Sequence, residues 1–494
     1  MIDIATERDI TVLRQVALLQ DREIQRLHAR LAQLLAATGA DVVAIQGELE
    51  ALKIQLAQRE QALFGRSSEK RPKGEDPESP AAAPRTRRGH GPTPQPRLPV
   101  VEQRFTLPDD QTGCPSCGGT LTPIAGQFEE SEEITVVERK FVVTRQQRQK
   151  YRCRCNGHVA TAPGPIKLQD GARYSPAFAV EVATAKYLDH LPLERQVRIM
   201  SREGLEITSQ TLWDQIEILA RTVQPTYEAI HEVVLTAPVI GADETSWRMM
   251  GRREGTTRWY GWCLTSPDAA YFEIVKHRSA EAARAILRGY GGIVMADGYD
   301  VYDTLARGDP GFIIAHCWAH VRRKFLEIQD YFPMCAEVLD LIRDLYAVER
   351  AAHDEAGDDV ETLLRVRAER RATQSARLIA GIQRWVLAQR VLPESGLAKA
   401  IEYMTGMWQG LTRFLKDPRI PLDNNATERA LRGPVVGRKN FYGARSQRGT
   451  EVAAVFYTLF ETAKLRGVEP KAYLRQAVDA ALAAPGTITL PTVA

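Results

Sequence analysis

The stretch Pro238-Val-Ile-Gly-Ala-Asp-Glu-Thr-Ser-Trp247 sets the interpretation of this chain. It contains a short apolar run that ends in the carboxylate of Asp243, and such a run bounded by polar residues is typical of a buried β-strand. A second stretch, Gly292-Ile-Val-Met-Ala-Asp-Gly298, has the same form and ends in Asp297. Two such strands lying side by side would hold two carboxylates at one edge of a sheet.

A third acid, Glu428, lies in Asp423-Asn-Asn-Ala-Thr-Glu-Arg-Ala-Leu-Arg432, which has the pattern of a helix start. Three acids on rigid elements supply the oxygen ligands of two Mg²⁺ (or Mn²⁺) ions and leave positions open for phosphate and water. Structural roles compete with this interpretation. An Asp at a strand end is a common turn former, and Glu428 could close a capping box with Asn425 as the N-cap.

Composition narrows the class of protein. The 494 residues suffice for three or four domains, and 44% hydrophobic with 26% charged residues is ordinary for a soluble globular chain. The net charge of +3 is too small to indicate nucleic-acid binding by itself. We find neither an apolar run of about 18 residues nor a secretion signal, so we expect a cytoplasmic, nucleoid-associated protein with no membrane partner.

The first hundred residues divide into a helical segment and a linker. Residues 1–65 predict a helical coiled coil, although the apolar pattern changes phase across Thr38–Ala40, as in a stutter or the corner of a helical hairpin. A helix packed on its own domain is the alternative to self-association into a homo-oligomer. Residues 66–100 hold eight prolines and eight Lys or Arg against four acids, which indicates a linker.

Residues 101–165 predict a zinc ribbon. Cys114-Pro-Ser-Cys117 followed by two glycines is typical of a metal knuckle, and seven cysteines in a chain of this length do not indicate a disulfide scaffold. The second pair, Cys153 and Cys155, has one residue between the cysteines instead of two, and His158 could replace one of them. The sequence therefore predicts structural Zn²⁺ and leaves the fourth ligand open.

The remaining chain divides into five predicted regions. Residues 166–235 are predicted to be helical, with one helix starting at Ser175–Pro176. In this region Glu194–Gly204 and Ser209–Leu219 resemble a DNA-binding helix-turn-helix, or ordinary helical packing. Residues 236–320 read as three antiparallel strands, the second and third at Arg258–Thr265 and Ala270–Val275, followed by a helix, a strand, a helix and a strand, an α/β order compatible with the ribonuclease-H-like fold. The last three regions are an all-α insertion, the rest of the catalytic core and a C-terminal element, at 321–420, 421–464 and 465–494.

Basic residues follow the third acid. Between residues 429 and 450 there are six of them and no acid, and Phe441 and Tyr442 lie among them. Such residues could neutralise the phosphates brought to the metal ions and stack a displaced base, or form a solvated face. Trp247 could also stack a base or belong to the core. The predicted DNA contacts are Arg429, Arg432, Arg438, Lys439, Arg445 and Arg448, with Arg322, Arg323 and Lys324 as a second patch.

Together, these motifs resemble the DDE transposases of the insertion-sequence-sixty-six family. The resemblance rests on Gly241-Ala-Asp-Glu-Thr245, Met295-Ala-Asp-Gly-Tyr299, His316-Cys-Trp-Ala-His320, the stretch from Asp423 to Arg432, and Gly437-Arg-Lys-Asn440. It covers nearly the whole chain, and five motifs in the family's order are specific where each one alone is weak.

The resemblance implies a function. Asp243, Asp297 and Glu428 would be the catalytic acids, and Cys317 and His320 would be the family's Cys-x2-His element supporting the active site. His316 and His320 could both face the site, or be buried histidines. The partners would be DNA at the element ends and at the target, and small accessory proteins of the same element. A silent transposase-derived DNA-binding protein and a ribonuclease-H-like nuclease that only hydrolyses are the alternatives.

Overall fold

A computed structural model describes residues 141–152, 158–250, 258–308 and 311–492, with the single positions 100, 102, 106 and 116. Residues 141–492 belong to one compact unit. The predicted coiled coil, nearly all of the predicted linker and the four cysteines of the predicted zinc ribbon lie outside the described residues. Within residues 101–165, the predicted ribbon, β1 (Lys150–Arg152) pairs antiparallel with β2 (Val159–Thr161).

Among the described residues, four helices precede the central sheet, in the region where the sequence predicts several helices. The first begins at Pro176 because the hydroxyl of Ser175 accepts the backbone N–H of Phe178 at 3.2 Å, and a proline suits the first helical position. The predicted helix-turn-helix corresponds to the second and third helices. The four are α1 (Pro176–Tyr187), α2 (Leu193–Arg202), α3 (Ser209–Thr222) and α4 (Gln224–Thr236).

The central sheet has five strands in the order β5-β4-β3-β6-β7. Within this sheet, β4 pairs antiparallel with both β3 and β5. The strand β6 pairs parallel with β3, and β7 pairs parallel with β6. The predicted strands 258–265 and 270–275 form at those bounds. The strands are β3 (Val239–Arg248), β4 (Arg258–Thr265), β5 (Ala270–Val275), β6 (Ile293–Ala296) and β7 (Ile313–His316).

Helices alternate with the parallel strands and then continue through the predicted all-α region. In this second set, α5 and α6 flank β6, and α7 to α12 follow β7. A π-helical turn at Arg371–Ser375 and a 3₁₀ turn at Arg413–Leu415 interrupt the series. The helices are α5 (Ala280–Leu287), α6 (Asp300–Ala306), α7 (Trp318–Leu326), α8 (Cys335–Ala356), α9 (Val360–Arg370), α10 (Ala376–Ala388), α11 (Gly396–Gly406) and α12 (Trp408–Thr412).

Three helices close the chain: α13 (Asn425–Phe441), α14 (Gln447–Leu465) and α15 (Pro470–Ala483). The buried helix α14 packs on the edge strand β5, where the hydroxyl of Thr458 accepts the Phe272 N–H at 2.9 Å and that of Thr462 accepts the Ala270 N–H at 3.1 Å. An edge strand exposes unpaired backbone groups unless something covers it. Threonines of α14 therefore complete the hydrogen bonding of this edge.

Two apolar clusters form the core. One joins the sheet to α1–α4, α14 and α15, and the other joins β6, β7 and the following helices around Trp318, Phe325 and Trp385. Met295 of β6 belongs to the second cluster and Val294 to the first, as expected for alternating strand residues. None of the helices among the described residues combines the length and apolarity needed to cross a bilayer.

Candidate active site

Two acidic side chains lie at the same end of neighbouring parallel strands. Asp243 is in β3, which pairs with β6 in a register that places Gly241 opposite Met295. Asp297 directly follows β6, so each acid comes two residues after that pair. Because strand side chains alternate between the two faces, both acids point to one face of the sheet. The structure thus brings Asp243 and Asp297 together, as the two sequence stretches suggest.

The start of α13 is fixed to the same region of the sheet. The side-chain amide of Asn424 donates to the carbonyl oxygen of Ala242 at 2.8 Å. The hydroxyls of Thr427 and Thr265, the latter on β4, lie 2.6 Å apart. Both contacts are buried, so they hold α13 firmly against the two strands. Because Glu428 follows Thr427 directly, they place the third acid beside the other two.

Gly241 permits this close approach. A Cβ atom at this position would lie 2.1 Å from the Thr427 hydroxyl and 2.6 Å from the side-chain oxygen of Asn424. Real Cβ atoms do not come that close to other heavy atoms, so any larger residue would push α13 away from the sheet. The glycine in Gly241-Ala-Asp-Glu-Thr245 is therefore needed for close approach of the helix rather than for a turn.

The carboxylate of Glu428 faces helix α7. Its Oε1 lies 3.6 Å from His320 Nε2 and its Oε2 lies 3.9 Å from Arg323 Nη2. Among the described residues no hydrogen-bond donor reaches Oε1, although this atom is buried. The alternative capping box is wrong in register: Asn424, not Asn425, is the N-cap, so Glu428 is the fourth helical residue, one beyond the position that a capping box uses.

Cys317 supports the start of α13. Its sulfur accepts the backbone N–H of Asn424 at 3.3 Å, and the neighbouring Trp318 N–H donates to the carbonyl oxygen of Leu422 at 2.9 Å. Burial raises the pKa of the Cys317 thiol to about 12, so the group stays neutral. The first half of the Cys-x2-His element thus fixes the segment before Glu428, and its second half, His320, faces Glu428 itself.

The two histidines of this element have different surroundings. His316 is buried, with Nε2 3.3 Å from Asp303 Oδ2, and burial lowers its pKa. A Cβ atom on Gly410 would lie 2.1 Å from its other ring nitrogen, so α12 packs directly on the ring. Of the two interpretations of the pair, His316 fits the buried histidine, whereas His320 faces the acidic side chains.

The acidic cluster carries more negative charge than its neighbours offset. Burial raises the pKa of Asp243 to about 8, and the carboxylates of Glu244, Asp297 and Glu428 act in the same direction, against the hydrogen bond from the Glu244 N–H. Burial and the neighbouring carboxylates thus both disfavour the ionised form of Asp243. Perturbed acids of this kind cluster at functional sites, and a bound cation would relieve the repulsion.

The donor set suits hard divalent cations. Asp243 and Asp297 each use Oδ1 to accept one backbone N–H, at 2.8 and 3.0 Å. The buried Oε1 of Glu428 offers a further oxygen. In the part of the chain that the structure describes, no three acidic, His or Cys side chains are arranged to close around one ion. Mg²⁺ is usually held by one or two carboxylates plus substrate phosphates, so a complete protein cage is not required.

Comparison with known proteins identifies the family. A sequence model described as "Transposase IS66 family" matches residues 171–452, more than half of the chain, and includes all three acids. The chain belongs to the IS66 family of transposases. A second model, the zinc-finger binding domain of transposase IS66, matches residues 111–156. This segment includes the four predicted cysteine ligands and ends two residues before His158, which is exposed in the structure.

Two curated relatives that match this chain come from Sinorhizobium fredii (strain NBRC 101917 / NGR234). "Uncharacterized protein y4hP" is 30% identical over 401 residues, which cover 76% of this chain and 71% of the relative. "Uncharacterized protein y4qI" is 30% identical over 419 residues, covering 81% and 75%. The similarity therefore extends over most of both chains and supports the family assignment.

The predicted DNA contacts of this transposase fall into two groups. Arg438 donates to Thr245 Oγ1 at 2.9 Å, and Arg448 pairs with Glu217 and Glu451, both at 2.9 Å, so these two arginines join parts of the fold. The rest of the first predicted set is exposed, and the spacing of the first three puts them on one face of α13: Arg429, Arg432, Lys439 and Arg445.

The second predicted patch lies on α7. Arg322 and Arg323 are half-buried, and Arg323 lies beside Glu428. Lys324 is exposed, with its ammonium 5.6 Å from the centre of the Tyr403 ring. Trp247 is fully buried and packs edge-on against Tyr457, so it belongs to the core and does not stack a base.

Three residues of the candidate active site lie within the sequence motifs but were not predicted to have a role. Asn424 and Thr427, which fix α13 to the sheet, stand inside the Asp423–Arg432 stretch. Glu244 follows Asp243 and contacts Arg278, whose charge opposes the effect of burial, which raises the Glu244 pKa. The signal available in the sequence was that these polar residues stand within four positions of a candidate acid.

Proposed function

We propose that this IS66-family transposase cleaves the ends of an insertion sequence and joins the freed 3′-OH ends to target DNA by phosphoryl transfer. Asp243, Asp297 and Glu428 would hold two Mg²⁺ (or Mn²⁺) ions, which when bound supply Lewis-acid stabilisation of the attacking and leaving oxygens. The observation that carries the proposal is the position of Asp243, Asp297 and the segment that bears Glu428 at one end of the sheet, with the pKa of Asp243 raised to about 8.

The chain's own residues would orient the reacting groups. The contacts of Asn424 with Ala242 and of Thr427 with Thr265 make the separation of the acids a property of the rigid core. His320 and Arg323 border Glu428 and limit where its carboxylate can swing. Positioning within a few tenths of an ångström is what in-line transfer at phosphorus requires.

The exposed basic face of α13 would bring DNA to the acids. Arg429 directly follows Glu428, Arg432 lies about one turn further along α13, and both are exposed. Basic side chains at such positions neutralise phosphates and fix the register of the backbone without reading sequence. The α2–α3 pair and the zinc ribbon are proposed as the parts that recognise element ends.

The sheet supports the proposal of a ribonuclease-H-like core. Three antiparallel strands are followed by two parallel ones, and the three acids come from β3, the end of β6 and the start of α13. We propose residues 236–320 and 421–464 as the two parts of the catalytic core, with the helices of 321–420 inserted between them. The remaining proposed regions, from the coiled coil at 1–65 to the C-terminal element at 465–494, have the bounds given above.

The test is a Mg²⁺-dependent assay on labelled element-end DNA with a target plasmid, comparing wild type with Asp243→Asn. We expect wild type to nick the ends and join them, while Asp243→Asn binds DNA and makes neither product. Hydrolysis without joining would instead indicate a nuclease. Binding without any cleavage, even when the products of neighbouring reading frames are added as accessory proteins, would indicate a silent DNA-binding protein and contradict the proposal.

We also propose that Cys114, Cys117, Cys153 and Cys155 bind one structural Zn²⁺, with His158 as the alternative fourth ligand. Support comes from the match of residues 111–156 to the zinc-finger domain of the family. Thiolates in paired knuckles bind Zn²⁺ tetrahedrally, and losing one ligand releases the ion. Cys114→Ser should reduce the zinc content measured by mass spectrometry, and an unchanged content would contradict the ligand assignment.

A further inference from the structure

Arg278 lies in the loop between β5 and α5 and contacts the two chain segments that carry Asp243 and Asp297. On one side, its Nε donates to Glu244 Oε1 at 2.6 Å, and a second guanidinium nitrogen pairs with the same oxygen. On the other side, its guanidinium carbon lies 3.7 Å from the centre of the Tyr299 ring, an arrangement in which a cation is attracted to the ring face.

The two residues that Arg278 contacts are those whose backbone N–H groups hold the acids. The N–H of Glu244 donates to Asp243 Oδ1 at 2.8 Å, and the N–H of Tyr299 donates to Asp297 Oδ1 at 3.0 Å. The guanidinium group of Arg278 therefore contacts both residues whose N–H groups donate to these two carboxylates.

Further hydrogen bonds close the arrangement. The Tyr299 hydroxyl donates to the carbonyl oxygen of Arg278 at 3.0 Å, and the Tyr302 hydroxyl donates to Glu244 Oε2 at 2.9 Å. The Glu244 side chain is only 2% exposed. A buried carboxylate needs a charged partner, and Arg278 supplies it. Because Glu244 points to the sheet face opposite Asp243, Arg278 lies behind the carboxylates and not among the reacting atoms.

We propose that Arg278 is a positioning residue that sets the orientation of both Asp243 and Asp297. The inference rests on the proposed function for its purpose, since two carboxylates that share cations must keep a fixed separation. Arginine suits the role because its planar group can pair with a carboxylate and stack on a ring at once, which a lysine ammonium cannot. Partners behind the ligands of a metal site commonly tune its affinity 10–100-fold.

The first measurement is hydrogen–deuterium exchange on the metal-free, full-length protein. Arg278→Gln should speed exchange in peptides covering residues 239–248 and 297–305, because the N–H groups of Glu244 and Tyr299 lose their support. Arg284→Gln, which alters an exposed arginine on the neighbouring helix α5, is the matched control and should leave both segments unchanged. Unchanged exchange in Arg278→Gln would overturn the inference.

The second measurement is Mn²⁺ binding by electron paramagnetic resonance without DNA. We expect the Kd for Mn²⁺ to rise about 10–100-fold in Arg278→Gln, less in Arg278→Lys, and not at all in Arg284→Gln. An unchanged Kd in Arg278→Gln would also overturn the inference. If wild type binds no Mn²⁺ even when element-end DNA is added, the proposed function fails, whereas the exchange experiment still decides the role of Arg278.

A second variant guards against loss of folding. Arg278→Gln alone leaves Glu244 buried without its partner, so the double variant Glu244→Gln/Arg278→Gln removes both charges together. It should fold, with a melting temperature near that of wild type, and still show faster exchange in the 297–305 segment because Tyr299 has lost the stacked cation. Exchange equal to wild type in that segment would count against the role of Arg278.

Discussion

Two carboxylates in this molecule, Glu349 and Asp243, differ in the charges that surround them. In the helical region, Glu349 of α8 receives both Nε and Nη2 of Arg371 at 2.8 Å, and Arg367 Nε lies 3.1 Å from it. Arg371 is fully buried and also donates to the carbonyl oxygens of Phe414 and Asp417. The carboxylate in this cluster therefore faces two arginines, and the cluster joins α8 to the π-helical turn.

At the end of the sheet the balance is reversed. Asp243 lies near Glu244, Asp297 and Glu428, and its pKa is raised to about 8. The nearby cations Arg278 and Arg323 do not cancel this excess. A carboxylate whose charge is offset by arginines serves stability, whereas a group of carboxylates left short of cations costs stability and is kept where function needs it. The comparison therefore supports a structural role for Glu349 and the functional role proposed for the acids of the sheet.

The largest expected effect is on catalysis. Glu428→Gln should reduce cleavage of element-end DNA at least about 1,000-fold, or ~4 kcal/mol, because a neutral amide cannot hold a divalent cation as a carboxylate does. DNA binding and the melting temperature should persist. Glu402→Gln, an exposed change on α11, is the control for a lost carboxylate elsewhere. Normal cleavage by Glu428→Gln would mean that this acid has only a structural role.

The next effect is on stability. Glu349→Gln should lower the free energy of unfolding by about 3–5 kcal/mol, because it leaves Arg371 buried without its counter-charge. The measurement is chemical denaturation, with Glu337→Gln, an exposed change on the same helix, as control. Cleavage per folded molecule should stay normal. If Glu349→Gln were as stable as wild type but inactive, the division between structural and functional clusters would be wrong.

The smallest expected effect is the rise in melting temperature on adding Mg²⁺, which should depend on the acids of the sheet and not on Glu349. A ligand at 100 times its Kd stabilises the folded state by about 2.7 kcal/mol. Mg²⁺ should therefore raise the melting temperature of wild type and of Glu349→Gln, but not that of Asp243→Asn. An equal shift in Asp243→Asn would place the cation away from the sheet.

The sequence predicts the local parts of this picture well. Apolar runs located β4 and β5 at their bounds and ended β6 just before Asp297. The Ser-Pro pair at 175–176 gave the start of α1, where a side-chain cap and a proline act within one turn. These features depend on neighbours a few residues apart, which periodicity and capping rules describe.

Contacts between distant residues were beyond such rules. Asn424 and Ala242 are 182 positions apart, and Thr265 and Thr427 are 162 apart, so nothing local indicates that they meet. The same holds for the pairing of Arg278 with Glu244. The N-cap of α13 was misplaced by one residue because Asp423, Asn424 and Asn425 are all plausible caps, and the choice is made by the bond from Asn424 to the sheet.

The most direct test of the central claim is anomalous diffraction from crystals of the transposase bound to element-end DNA and Mn²⁺. We predict anomalous peaks within metal–oxygen bonding distance, about 2.0–2.2 Å, of the carboxylates of Asp243 and Asp297, with one peak also near Glu428. The account would be contradicted if the DNA end occupied the site and every anomalous peak lay beside other residues, with none at these three acids.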